Sequence, residues 1–327
     1  MENKYTDIDL LIVGAGPMGI ATGIEAQKNN LSHVIIEKGA LVNSIFHFPK
    51  NMTFFSTSEK LEIGDIPFMS IHEKPSRDEA LEYYRRVVEK WNLNVKYYEE
   101  VLNVEKVENK KFKVTTSKGI YYANYVVIAT GFYGNSNKLN IPGEELNKVS
   151  HYFDDAHRYI GQKVVVVGAG NSATQVALEL YYKGAEVTMI IRDSAIGDNV
   201  KYWIKPNIEN RIEEGAIKAF FNASLSKIDE DSVTFIQNGK EFSIENDYVL
   251  AMIGYQPDYE FLNKIGVLCN NDDMQIPNFQ PDSHQTNQSG IYIAGVVCGG
   301  LKTNTYFIEN SMEHAEKIIQ SILRENS

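Results

Sequence analysis

Cysteine is scarce in this chain: among 327 residues only Cys269 and Cys298 occur, far apart and in no CxxC pair. That excludes a disulfide framework and a dithiol redox motif built from neighbouring residues. Long apolar runs are missing as well. The run from Leu10 to Val13 is far too short to cross a bilayer, and the polar start MENKYTD lacks the basic region and apolar core of a signal peptide, so a cytoplasmic protein with no membrane partner is expected. Blocks of like charge are short. With 32 Lys and Arg against 43 Asp and Glu the formal net charge is -11, and the clustered cations of a nucleic-acid footprint do not occur. The seven histidines form no HExxH and no close Cys/His grouping, so no metal site is expected.

What remains is ordinary globular material, 43% hydrophobic and 23% charged, in a length that suits two domains. Its information lies in two glycine corners. DLLIVGAGPMGIATGIEAQKNNLSHVIIEKG reads as strand, glycine turn, helix from Met18 to about Asn29, then strand. Gly14 permits the tight turn, Gly16 lets the backbone approach a pyrophosphate, and Gly19 lets the helix pack near the strand. The helix N-terminus is left to hold phosphate, and Glu37 at the end of the second strand can accept from a ribose hydroxyl pair. KVVVVGAGNSATQVALELYYKGAEVTMIIRD repeats the pattern with Gly168, Gly170 and Ala173 in the glycine roles and Arg192 in place of the acid. An acid repels a ribose 2′-phosphate, whereas arginine grips it, so NADPH is expected at the second corner.

Two dinucleotide sites in one chain of this size imply one resident cofactor and one visitor. The resident is expected to be FAD, because YVVIATGFYG, a strand at Tyr125 to Ile128 followed by Ala129, Thr130 and Gly131, and SGIYIAGVV, a strand ending at Gly295, complete the first corner. The expected fold is therefore α/β, with two Rossmann-like dinucleotide-binding domains and the NADPH domain inserted into the FAD domain. Residues 1–135 and 262–327 are assigned to FAD, and 136–261 to NADPH. The linkers are NSNKLNIPGEE and GYQPDYEF, and YVLAMIGYQP echoes YVVIATGFYG as in a duplicated design. RDEALEYYRRVVEKW reads as an amphipathic helix with its aromatics towards the core.

On these residues the chain resembles the flavin reductases related to low-molecular-weight thioredoxin reductases, and within them the YpdA-type bacillithiol-disulfide reductases. The likeness covers nearly the whole chain. It is most particular at TFFSTSEKLEIGDIPF, HYFDDAH, NDYVLAMIGYQPDYEFL and NTYFIEN. The resemblance implies an NADPH-dependent FAD enzyme that reduces the disulfide of a low-molecular-weight thiol such as bacillithiol, usually as a dimer or tetramer. Members commonly carry a cysteine in the first fingerprint; here that position is Met18, and a thioether cannot become a thiolate or form a mixed disulfide. Met18 is read as packing. Cys298, in GVVCGG, stands where the strand end should approach the flavin and is the one thiol in a suggestive place; no catalytic residue is assigned.

The candidate flavin contacts are Gly14, Gly16, Pro17, Met18, Gly19, Glu37, Lys38, Thr53, Ser56, Val101, Ala129, Thr130, Gly131, Gly295 and Thr305. Among them Thr53 and Ser56 supply hydroxyls. NTYFIEN is expected to begin a C-terminal helix, with Asn304 as cap and Thr305 beside it, aimed at the pyrimidine edge of the flavin. The NADPH contacts are Gly168, Gly170, Asn171, Ser172, Ala173 and Arg192. His151 and His157 are placed in the linker before the second corner. The FxGxxxH of flavin monooxygenases is absent before that corner, and without CxxC direct thioredoxin reduction is not expected. A small redox protein remains a possible acceptor, as in a ferredoxin- or flavodoxin-NADP reductase, which needs no cysteine; a redox-sensing flavoprotein is the third reading.

Overall fold

The computed structural model describes residues 6–108 and 111–325. They form two compact units, Met1–Asn135 with Tyr255–Ser327, and Ser136–Gly254. The first stretch contains β1 (Thr6–Val13), α1 (Pro17–Lys28), β2 (His33–Ile36), α2 (Asn43–Phe46), α3 (Arg77–Trp91), β3 (Val95–Lys96), β4 (Val101–Lys106), β5 (Phe112–Thr116) and β6 (Ile120–Ile128). In α3 the Ser76 hydroxyl accepts from the Glu79 amide while the Glu79 carboxylate accepts from the Ser76 amide, a capping box that fixes where the helix starts. Tyr83, Tyr84, Val87 and Val88 form its buried stripe.

The second unit contributes β7 (Val149–Ser150), β8 (Lys163–Val167), α4 (Asn171–Tyr182), β9 (Glu186–Ile190), α5 (Lys205–Glu213), β10 (Lys218–Phe220), β11 (Ala223–Ile228), β12 (Ser232–Gln237), β13 (Lys240–Glu245) and β14 (Tyr248–Ala251). The chain then returns to the first unit with α6 (Tyr259–Lys264), β15 (Ile291–Ile293) and α7 (Met312–Glu325). This second crossing falls at 254/255, earlier than the boundary at 262 expected from sequence. The reason is packing: Leu262, Ile265 and Val267 are buried in the core of the first unit with Leu11, Val126 and Ile293.

Both units are built on parallel strands read from both faces. In the first, the sheet runs β3-β2-β1-β6-β5-β4. β6 is long enough to pair twice on one edge, antiparallel with β5 at Ile120–Ala123 and parallel with β15 at Val126–Ile128. Successive residues of β1 enter different cores: Leu10 and Ile12 join α1, α3 and α7, whereas Leu11 and Val13 join β4, β5 and α6. That is why the strand reads as a continuous apolar run rather than an alternating one. The second unit repeats the plan with the parallel order β10-β9-β8-β14-β7 and the antiparallel β11-β12-β13; Val164 and Val166 face one core, Val165 and Val167 the other. Among the described residues no helix is long and apolar enough to cross a membrane.

Candidate functional site

Each unit carries one glycine corner at the carboxyl end of its central strands, the edge where open parallel sheets collect ligands. In the first unit Gly14 has φ +105°, and a Cβ there would lie 2.6 Å from the Ala129 carbonyl oxygen. The Gly14 amide donates to Ile36 O (2.8 Å) and the Ala129 amide to Val13 O (2.9 Å), which pins the corner to both neighbouring strands. A Cβ on Gly19 would fall 1.8 Å from Gly14 O. Gly16 is different in kind: its φ is -73° and nothing lies within 4 Å of where its Cβ would be. The protein itself does not require that glycine. It leaves an open cradle before α1, which begins with Pro17, has no side-chain cap and has no acid in its first turn, an arrangement suited to an anion.

Glu37, expected to face a ribose, is also a brace of this corner. Its Oε2 accepts from the Ala15 amide and its Oε1 from the Gly39 amide, both at 2.8 Å. Burial pushes its carboxyl above the usual range, against the opposing pull of those amides. Each oxygen keeps a lone pair for a further donor. Above it opens a cleft of about 290 Å³ lined by Gly14, Glu37, Lys38, Val101, Thr130 and Gly131 among others, so these expected contacts do converge. Pro17 and Met18 follow on α1.

The other arm of the site forms where β15 ends. Gly295 has φ +80°, and a Cβ there would stand 2.8 Å from Met18 Cγ. Met18 is buried in the α1 core. The Gly295 amide donates to His314 Nδ1 (3.0 Å) on α7. Two predictions about the neighbouring segment need correction. The C-terminal helix begins at Met312, not near Asn304, because the Asn310 side chain accepts from the Phe307 amide and donates to Thr305 O, holding residues 305–310 in turns. Thr305 therefore does not stand at a helix start; its hydroxyl oxygen is nonetheless buried without a partner among the described residues, as is that of the fully buried Ser311 just before α7. Ser56 is buried and its hydroxyl donates to the Glu309 carboxylate. Thr53 is exposed and forms a backbone bridge with Ser76.

Sequence spacing gave no warning of a third feature. His284, Cys298 and His314 meet in the interior, with their potential ligand atoms all within 4.8 Å of one another. His284 Nδ1 donates to Ile293 O (3.1 Å) and His314 Nδ1 accepts from Gly295, so the backbone already uses one nitrogen of each ring. Cys298 is 1% exposed, and burial pushes its thiol up, so it is neither accessible nor ionised at neutral pH.

The second unit's corner repeats the first. Gly168 has φ +121° and its Cβ would lie 2.6 Å from Met252 O, the counterpart of the Ala129 contact; Ala173 is fully buried; and Gly170, like Gly16, has nothing within 4 Å. Ser172 is exposed. The Asn171 amide donates to Asn199 O (3.0 Å) and accepts from Lys201 N (2.8 Å), so it braces the 199–201 loop. β9 stops at Ile190, and Arg192 stands in solvent, 3.7 Å from the Asp193 carboxylate. His151 lies within this unit, 3.1 Å from Glu144, rather than in a linker.

The open cradle at Gly16, the cleft and the partnerless hydroxyls of Thr305 and Ser311 fit a bound flavin dinucleotide in the first unit. Comparison with known proteins agrees. Residues 11–295 match the pyridine nucleotide-disulphide oxidoreductase family. The bacilliredoxin reductase Bdr of Bacillus subtilis is 43% identical over 97% of this chain and 98% of its own length. The structure titled bacillithiol disulfide reductase Bdr (YpdA) from Staphylococcus aureus superposes with a TM-score of 0.95 at 44% identity, covering 98% of this chain and 100% of that one. A ferredoxin-NADP reductase of Ignicoccus hospitalis is 26% identical over 88% of the chain and 89% of its own length.

Proposed function

The chain belongs to the pyridine nucleotide-disulphide oxidoreductase family, as a flavoprotein oxidoreductase, and we propose that it uses NADPH to reduce bacillithiol disulfide or a closely related low-molecular-weight disulfide in the cytoplasm. The single observation that carries the substrate class is the likeness to Bdr over almost the full length of both chains. The overall reaction consumes one NADPH, one proton and one disulfide and yields NADP⁺ and two thiols. Bound FAD supplies the two-electron relay between nicotinamide and disulfide.

The chain's own residues have three tasks. Gly14, Gly16 and the N-terminus of α1 hold the flavin's pyrophosphate, with Glu37 bracing the corner and Lys38 and Val101 lining the cleft. Gly168, Gly170 and α4 take the corresponding part of NADPH, and the exposed Arg192 is free to meet its 2′-phosphate. At the substrate end neither the thioether at position 18 nor Cys298, sealed in the core, can form a mixed disulfide, and the half-buried Cys269 is not among the residues that line the cleft. Bound FAD would then supply its electrons to the disulfide directly, with no protein thiol needed as a relay. A homo-oligomer is expected from the resemblance and is checked by sedimentation.

The test is to purify the protein, record its flavin spectrum, and follow NADPH oxidation with bacillithiol disulfide and with a ferredoxin in parallel, counting thiols released. Two thiols per NADPH are expected, with unchanged yield in a Cys269→Ser/Cys298→Ser variant. Turnover with ferredoxin alone overturns the substrate assignment; loss of disulfide turnover in a folded, flavin-loaded double variant overturns the thiol-free route.

A further inference from the structure

The buried imidazoles at the end of β15 are not used by the mechanism above, yet they hold the backbone beside it. His284 makes a two-point clamp on Ile293: its carbonyl accepts from the Ile293 amide (3.0 Å) and its Nδ1 donates to Ile293 O (3.1 Å). It does so from φ +60°, a conformation that a residue of this type adopts at some cost. Ala294 donates to Ile128 O on β6 (2.9 Å). Gly295 donates to His314 Nδ1 (3.0 Å) and turns, at φ +80°, against Met18. Three consecutive residues are thus fixed by three different elements, and the last of them starts the 3-10 turn Gly295–Gly299.

We propose that His314 is a positioning residue: its Nδ1 is the acceptor that seats the Gly295 turn, and through that turn it sets how tightly the site holds FAD and how strongly it favours the reduced flavin. This rests on the flavin reading given above. The geometry favours it on two grounds. The Gly295 amide is buried and has no other partner among the described residues, so losing the acceptor leaves a buried donor unsatisfied, which the turn would shift to relieve. At the other end of the same turn Thr305 Cβ lies 3.7 Å from where a Gly299 Cβ would stand, and its buried hydroxyl, like that of Ser311, has no partner among the described residues. Burial and the neighbouring His284 hold the His314 ring neutral, with its pKa lowered to about 3, so the acceptor persists at working pH. Because Nδ1 accepts, the ring proton resides on Nε2.

The test compares three variants of the full chain. In His314→Asn the side-chain oxygen takes the place of Nδ1, in His314→Gln the oxygen takes the place of Nε2, and in His314→Leu there is no acceptor. Two quantities are measured: the FAD dissociation constant of the apoprotein, and the two-electron flavin potential. His314→Leu and His314→Gln are expected to bind FAD about tenfold more weakly and to lose about tenfold of the preference for reduced flavin, which is about 30 mV in potential. His314→Asn is expected to stay within about twofold of the parent in both. If His314→Leu does not fold, the Asn and Gln pair decides. Equal behaviour of Asn and Gln, or a parent-like potential in both Leu and Gln, overturns the proposal. A parent protein that binds no FAD would instead overturn the function proposed above, so the two failures are distinct.

Discussion

Gly16→Ala separates what the protein needs from what its ligand needs. At this position the backbone has φ -73°, open to any residue, and nothing lies within 4 Å of the new methyl. Without ligand the change costs about 0.5–1 kcal/mol, because alanine is a poorer helix cap than glycine. A phosphate seated on the first turn of α1 would meet the methyl as overpacking, at about 1–3 kcal/mol, which is roughly 5- to 150-fold in FAD affinity. Gly14→Ala is the contrast. There φ +105° costs about 1–2 kcal/mol and the approach to Ala129 O at 2.6 Å adds about 1–3 kcal/mol, so apoprotein stability itself falls. The assay is thermal unfolding of both apoproteins together with titration of FAD by quenching of its fluorescence. If Gly16→Ala binds FAD as tightly as the parent while Gly14→Ala is destabilised, the corner is a structural turn and the phosphate argument is wrong.

Gly170→Ala should raise the KM for NADPH by a similar factor and leave flavin content unchanged, since its methyl also meets no protein atom. Arg192→Gln removes charge-assisted bonds worth about 1.5–3 kcal/mol; the ratio of kcat/KM for NADPH over NADH should fall about 10- to 150-fold, and an unchanged ratio would remove Arg192 from the 2′-phosphate. For pH, the His314 pKa of about 3 lies below the ordinary 6.5, so between these values the unfolded chain binds more protons than the folded one. The contribution is fully present above about pH 6.5 and is lost as pH falls towards 3. Stability curves of His314→Asn should slope less steeply across that window; His33 and His284, shifted in the same direction, keep some slope.

The two corners were legible because each is local: strand, glycine turn and helix follow one another within about thirty residues, and the glycines state their own geometry. The inserted plan was legible for the same reason, since YVLAMIG repeats YVVIATG and Met252 indeed covers Gly168 as Ala129 covers Gly14. Misreadings arose where side chains act on the backbone. NTYFIEN has the look of a helix start, but Asn310 spends its amide on Phe307 and Thr305 and delays the helix to Met312. Asn171 and Glu37, expected as ligand contacts, also brace loops, which their spacing does not announce. The meeting of His284, Cys298 and His314 could not be read at all, because the three residues lie on separate segments that only the completed fold brings together.

The late return of the chain to its first unit has a consequence for assembly. β6 ends at Ile128, but the strand that extends its upper edge, β15, and the helix that packs on α1, α7, are made only after residues 136–254. On the ribosome the inserted unit is a continuous stretch with mostly near-neighbour pairings, whereas its host must keep an unfinished sheet edge and a bare helix face waiting. Such long-range closure is slow and prone to aggregation. The dinucleotide corner between β1 and α1 is thus made before the inserted unit and completed only after it.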